Sequence, residues 1–286
     1  MSAAKPAVGP GSQPKGALYA KTIKHDFAWK LRLTHPDRAD IRLEWAGRPI
    51  VFDPVEIADG DVVVLTGPAP ERLRGTVAAL AAGKHPDVLA DEAILAWLRG
   101  HGTLGEATLG LTSTSQVTVD GVTVRSMPYV ATSPVRPLNH YLKASIIAFR
   151  PSRSLGILRA GREAADRGPV ASVAPRIFEL TVPGVGRLVH LDLALTRLAT
   201  PAWIASAADY AGADWVLAGC AYGESEAVAT MLPGFAGKHV LVTELINTER
   251  RAVGLPVEGV TPLRDRLHAD GLPAHVFATQ ASYRFE

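Results

Sequence analysis

Apolar and polar residues alternate through Trp29, Leu31 and Leu33, with Lys30 and Arg32 between them, and again through Ile41, Leu43 and Trp45, with Arg42 and Glu44 between. Period-two runs on either side of Pro36-Asp37 predict a half-buried hairpin. Gly47 turns the chain into a strand over 49–53 that Pro54 stops, and the unbroken apolar run from Asp61 to Thr66 predicts a strand covered on both faces. Helical spacing starts at Pro70-Glu71, where an acid suits the positive end of a helix and Leu73, Val77, Leu80 and Ala81 share one face. A strand over 86–90 leads to a second helix from Asp91 to Arg99, closed by Gly100 or Gly102. Val117 to Val124 reads as two alternating arms about an Asp120-Gly121 turn.

The second half repeats this grammar. Ser145–Phe149 is expected as a strand and Leu155–Arg167 as a helix, followed by strands at Arg187–Asp192, Asp214–Ala218 and His239–Thr243. Helices at Trp203–Tyr210, Ser225–Met231 and Pro262–Ala269 separate them, a last strand lies near His275–Ala278, and Gly184-Val185-Gly186 fits a hairpin turn. Strands followed by helices, twice over, predict an α/β chain of two similar halves packed sheet on sheet with helices outside. Residues 1–17 carry almost no large apolar side chain and are expected to be a disordered tail or docking peptide; residues 18–286 are expected to form a single domain.

Composition narrows the function classes. With 47% hydrophobic and 20% charged residues, the chain can bury a full core. A net charge of +2 gives no concentrated basic surface, so nucleic acid is not an expected partner. No apolar stretch is long enough to span a bilayer as a helix, the opening residues lack the order of a secretory signal, and the single Cys220 forms no internal disulfide. A cytoplasmic location is expected. Oligomeric state has no signature in the sequence.

One segment carries a family resemblance. Ile41–Pro54, with its Phe52-Asp53-Pro54 strand end, and then Asp61–Thr66 running into Gly67-Pro-Ala69-Pro-Glu71-Arg72-Leu-Arg-Gly75-Thr76 resemble the opening of a metallo-β-lactamase-fold protein. Val122–Tyr129, Val189–Asp192 and Ala213–Val216 resemble later strands of that family in the same order, while 139–183 matches nothing in it. The resemblance implies an αββα sandwich. It also implies an H-x-H-x-D-H motif holding one or two zinc ions directly after the Leu-Thr strand end, and a later strand whose Asp, here Asp192, bridges them.

The residues at those positions depart from the motif: Gly67 and Ala69 replace the first two histidines, Glu71 the aspartate and Arg72 the third histidine. Zinc takes three or four N, S or O donors, with His at about 2.0 Å, and neither Gly nor Ala supplies one. A guanidinium stays protonated at any working pH and repels a dication beside it. The expectation is therefore a former metal pocket without metal or other cofactor. Arg72 would place a fixed positive charge there, held by Glu71, Asp192 or Asp53, and Thr66, Gly67, Ala69, Glu71, Arg72 and Asp192 would line an anion site. The plainer alternative leaves Arg72 and Glu71 as an ion pair on a helix end or facing water.

Three functions follow. The first is a metal-free relative of the family, a pseudohydrolase that binds an anionic small molecule or a protein partner. The second is a hydrolase or lyase using Arg72 as electrophile, with Glu71, Asp192 or His190 as acid or base. The third is a zinc hydrolase with relocated ligands, His190 and Asp192 being two apart on one strand face. Elsewhere His25, His35, His85 and His101 read as surface-turn residues, and His268 and His275 as flanks of the Gly271-Leu-Pro273 turn. His140 reads as a loop residue, and Cys220 as a small buried hydrophobe.

Overall fold

The computed structural model describes residues 31–34, 41–45, 47–68, 70–112, 115–128, 173–174, 176–191, 212–219, 225–234, 236–243, 257–278 and 281–285. In chain order the strands are β1 (Leu31–Thr34), β2 (Ile41–Glu44), β3 (Ile50–Phe52), β4 (Val62–Val64), β5 (Asp87–Asp91), β6 (Leu109–Leu111), β7 (Ser115–Val119) and β8 (Val122–Pro128). They continue as β9 (Arg176–Val182), β10 (Gly186–His190), β11 (Ala213–Ala218), β12 (Ala236–Thr243), β13 (Ala274–Phe277) and β14 (Ser282–Phe285). The helices are α1 (Pro70–Ala81), α2 (Glu92–Arg99), α3 (Ser225–Met231) and α4 (Thr261–Ala269).

Two seven-stranded sheets result, in the orders β14-β1-β2-β3-β4-β5-β6 and β13-β12-β11-β10-β9-β8-β7. Each runs antiparallel for its first four strands, β14-β1-β2-β3 or β7-β8-β9-β10. Each then continues with three parallel neighbours, β4-β5-β6 or β11-β12-β13. The two halves expected from the pattern are thus present, but the chain shares them unevenly. Strands β7 and β8 cross early into the second sheet, and β14 returns from the end of the chain to complete the first.

Three apolar layers hold the sandwich. Ile41, Leu43, Ile50, Phe52, Val62 and Val64 of the first sheet face Phe178, Leu180, Leu188, Leu217, Leu241 and Phe277 of the second. The opposite face of β4 and β5, with Val63, Leu65, Val88 and Ala90, packs under Leu73 and Leu80 of α1 and Ile94, Leu95 and Leu98 of α2. Val189, Val216, Val240 and Val242 pack under α3 and α4 through Val228, Leu263 and Leu267. Strand β4 is apolar at every position because both of its faces are covered, which is why the run from Asp61 shows no alternation. Asp91 caps α2, its carboxylate accepting from the Ala93 N–H at 3.0 Å, and Gly100 closes the helix as expected.

Several boundaries differ from the sequence reading. The Asp120-Gly121 hairpin extends to Ser115 and Pro128, with Asp120 at φ +48° and Gly121 at +92°. Strands β6, β9 and β14 have no counterpart in that reading, and β9 lies inside the segment 139–183 that resembled nothing. The expected tail, the strand at Ser145–Phe149, the helices at Leu155–Arg167 and Trp203–Tyr210, and His25, His35, His140 and Cys220 lie outside the described residues. Among the described residues, no helix is long and apolar enough to cross a membrane.

Candidate functional site

Parallel strands put their carboxyl ends at one edge of each sheet, and loops leaving that edge are where α/β folds gather chemistry. At this rim β3 is followed by Asp53, whose N–H donates to Val64 O at 2.9 Å while its backbone turns to φ +46°. Asp is one of the few residues besides Gly that tolerates this left-handed region. The turn places the carboxylate, 5% exposed, beside the end of β4. Thr66 donates its N–H to Asp53 Oδ1 at 2.8 Å and its hydroxyl to Oδ2 at 2.5 Å.

Helix α1 then brings Arg72 back to the same point. Gly75 lets the helix lie against the loop after Asp53: a Cβ there would sit 1.8 Å from Pro54 O. Arg72 is 7% exposed, and its Nη1 donates to Thr66 Oγ1 at 2.5 Å. One hydroxyl therefore accepts from a guanidinium and donates to a carboxylate, joining two opposite charges through a wholly buried threonine. Arg72 lies in the first turn of α1, as the plainer alternative has it, but is buried rather than facing water. Of the three carboxylates expected to hold Arg72, Asp53 does so through Thr66. Asp192 and Ala69 lie outside the described residues, and of Glu71 only the backbone, in the first turn of α1, is described. Gly67 is buried and follows Thr66 directly.

A second arginine at this rim escaped the sequence reading. Arg176 opens β9 and is 2% exposed. Its N–H donates to Thr66 O at 2.8 Å, tying the second sheet to the end of β4. Its side chain donates to Thr112 O after β6, to Ser126 Oγ of β8 at 3.4 Å and to Asp91 Oδ2 at 3.5 Å. One residue thus gathers strand ends from both sheets. A strand-initial Arg gives no sign of this, because its side-chain partners lie 50, 64 and 85 positions away.

His190 ends β10, 3% exposed, and stacks on Phe52 with ring centroids 4.8 Å apart and 8° between planes. It belongs to the layer between the sheets, beside the residue that precedes Asp53. The other described histidines are placed elsewhere: His85 and His101 are exposed and bond Thr103 O and Trp97 O at 3.0 and 3.1 Å, and His268 bonds Ala274 O at 2.7 Å. His239 stands within β12, and His275 stands within β13, just after the turn it was expected to flank and in the strand expected there. Among the described residues, no three His, Cys, Asp or Glu side chains are grouped to hold a metal ion. Gly67 and the Thr66-bound Arg72 do not fit a zinc donor set.

Two seven-stranded sheets with covering helices, and this rim at the strand ends, decide the architecture. The fold is the αββα sandwich of metallo-β-lactamase type. Solved structures agree: a metallo-hydrolase from the hyperthermophilic archaeon Ignicoccus hospitalis superposes with a TM-score of 0.59 at 12% identity, over 90% of this chain and 98% of that one. The isothiocyanate hydrolase from Delia radicum gut bacteria gives 0.57 at 13% identity, over 88% and 97%. A possible metal-dependent hydrolase from Veillonella parvula gives 0.52 at 10% identity, over 89% and 99%. No family profile matches the chain, and no curated protein does. At such identities the likeness is one of fold, and the residues at the rim carry any argument about chemistry.

Proposed function

We propose that this chain is a metal-free member of its fold class that binds an anionic group at the rim formed by Thr66, Gly67 and Arg72. The supporting observation is the buried Arg72 guanidinium on Thr66 Oγ1. It puts a fixed cation where the family resemblance implies a metal-binding imidazole. A guanidinium does not lose its charge on burial, and its planar fork suits carboxylate or phosphate oxygens. Thr66 and Asp53 fix one edge of that fork, so an acid group would meet a preoriented cation. The same recognition serves a small-molecule acid or a carboxylate on a protein partner. Ala69, Glu71 and Asp192 complete the proposed lining, and a cytoplasmic setting belongs to the same proposal.

Calorimetric titration with inorganic phosphate, oxalate and malonate tests it. The proposal expects saturable binding of at least one of them, weakened about tenfold or more in Arg72→Gln, a loss on the order of 1.4 kcal/mol. No binding of any acid, or equal affinity in the variant, contradicts it. Turnover of an ester or amide that falls in Arg72→Gln with affinity kept would instead favour the hydrolase or lyase reading.

A further inference from the structure

Away from the rim, four rings meet between the sheets. Trp215 of β11 and His239 of β12 are register partners and stack at 4.3 Å with 12° between planes. His275 of β13 lies 5.8 Å from His239, and Tyr283 of β14 closes the group, 5.2 Å from Trp215 and 6.2 Å from His275. Tyr283, 6% exposed, belongs to the layer between the sheets, and Trp215 packs against it. Among the described residues, β14 is a four-residue edge strand, hydrogen-bonded to β1 alone within its sheet. Its grip on the second sheet therefore includes Tyr283 against these rings.

We propose that the Trp215–His239–His275–Tyr283 group is an acid-sensitive joint that loosens β14 from the second sheet when the two imidazoles take up protons. Neutral rings stack and pack here at no electrostatic cost. Two imidazolium charges 5.8 Å apart repel, and in a partly buried layer they lose hydration. His239 Nδ1 is buried without a hydrogen-bond partner among the described residues, so no acceptor there compensates a proton on it.

The described charges around the pair do not favour protonation. On β12, Lys238 is exposed and bonds Asp214 of β11 at 2.6 Å, so that carboxylate is already engaged. On α4, His268 bonds Ala274 O, and from β14 the facing group is the Tyr283 phenol. Burial first, then Lys238, holds His239 below the ordinary imidazole range; burial first, then His239 and His268, does the same for His275. Both shifts have one sign. The stabilising contribution is complete above the unfolded value of about 6.5 and is lost as pH falls through that value toward the lower folded ones.

Hydrogen exchange read by mass spectrometry at about pH 7.5 and about pH 5.5, corrected for intrinsic rates, provides the test. Peptides covering β14 should exchange about tenfold faster at the lower pH, while those covering β4 and β5 keep one corrected rate. In His239→Phe/His275→Phe the β14 ratio should fall to about one. Should the double variant not fold, His275→Gln, which removes one of the two charges, should reduce the ratio severalfold. A β14 ratio near one in the wild type, or a full wild-type ratio in either variant, overturns the proposal. Neither result bears on anion binding at Arg72.

Discussion

Thr66 gives both of its donors to Asp53, its N–H at 2.8 Å and its hydroxyl at 2.5 Å, and by doing so turns a hydroxyl lone pair toward Arg72 Nη1. Thr66→Val keeps the shape and removes both the acceptor for a buried cation and a donor to a buried carboxylate. It should cost about 3 kcal/mol, the range seen when a buried charge loses its partner. Denaturant unfolding, with the midpoint falling at unchanged slope, measures it.

Thr76, one turn after Arg72 on α1, should behave in the opposite way to Thr66. It is wholly buried, and its Oγ1 has no hydrogen-bond partner among the described residues. Thr76→Val removes an unsatisfied group without changing volume, so the expected change is neutral to about 1 kcal/mol stabilising. The same unfolding experiment separates the two threonines.

Arg176 predicts a failure of conservative replacement. Its fork reaches Thr112 O, Ser126 and Asp91 together, and a lysine has one nitrogen for these three directions. Both Arg176→Met and Arg176→Lys should destabilise by about 2–4 kcal/mol, with lysine recovering less than half of the loss.

Much of the architecture was legible in the chain, and the missing parts have physical reasons. The β1–β2 alternation, the Asp120-Gly121 turn, and the second helix with its glycine stop are local signals, and the structure follows them, with Asp91 as the cap of that helix rather than its first residue. β9 does carry an alternating run, Phe178-Glu179-Leu180-Thr181-Val182, and was missed inside the unmatched segment; what the alternation hides is that five residues in succession, Arg176 to Leu180, are buried, Glu179 among them in a clasp with Arg125 and Arg187. β6 has three residues around Gly110, too short for a period. At the site, Arg72 stood out as a departure from a motif. Its link through Thr66 to Asp53 depends on the residue after β3 turning to positive φ, and the staple at Arg176 depends on contacts across the whole sandwich.

Two glycines separate backbone from side-chain constraint. A Cβ on Gly75 meets Pro54 O at 1.8 Å and Val55 O at 2.7 Å, and neither carbonyl can rotate away. A Cβ on Gly110 meets Glu92 Oε2 at 1.5 Å, but that is the tip of a mobile, largely exposed side chain. Gly75→Ala should destabilise by about 3 kcal/mol although Ala is the better helix former, whereas Gly110→Ala should stay within about 0.5 kcal/mol. Thermal unfolding of the pair decides.

Elemental analysis of the purified, unsupplemented protein tests the account most directly. On the proposal that Arg72 is the resident cation, zinc, iron and manganese together should stay below about one-tenth of an equivalent per chain, before and after dialysis against chelator. One or more equivalents of a transition metal, retained through gel filtration and removed only with loss of the fold, would contradict it.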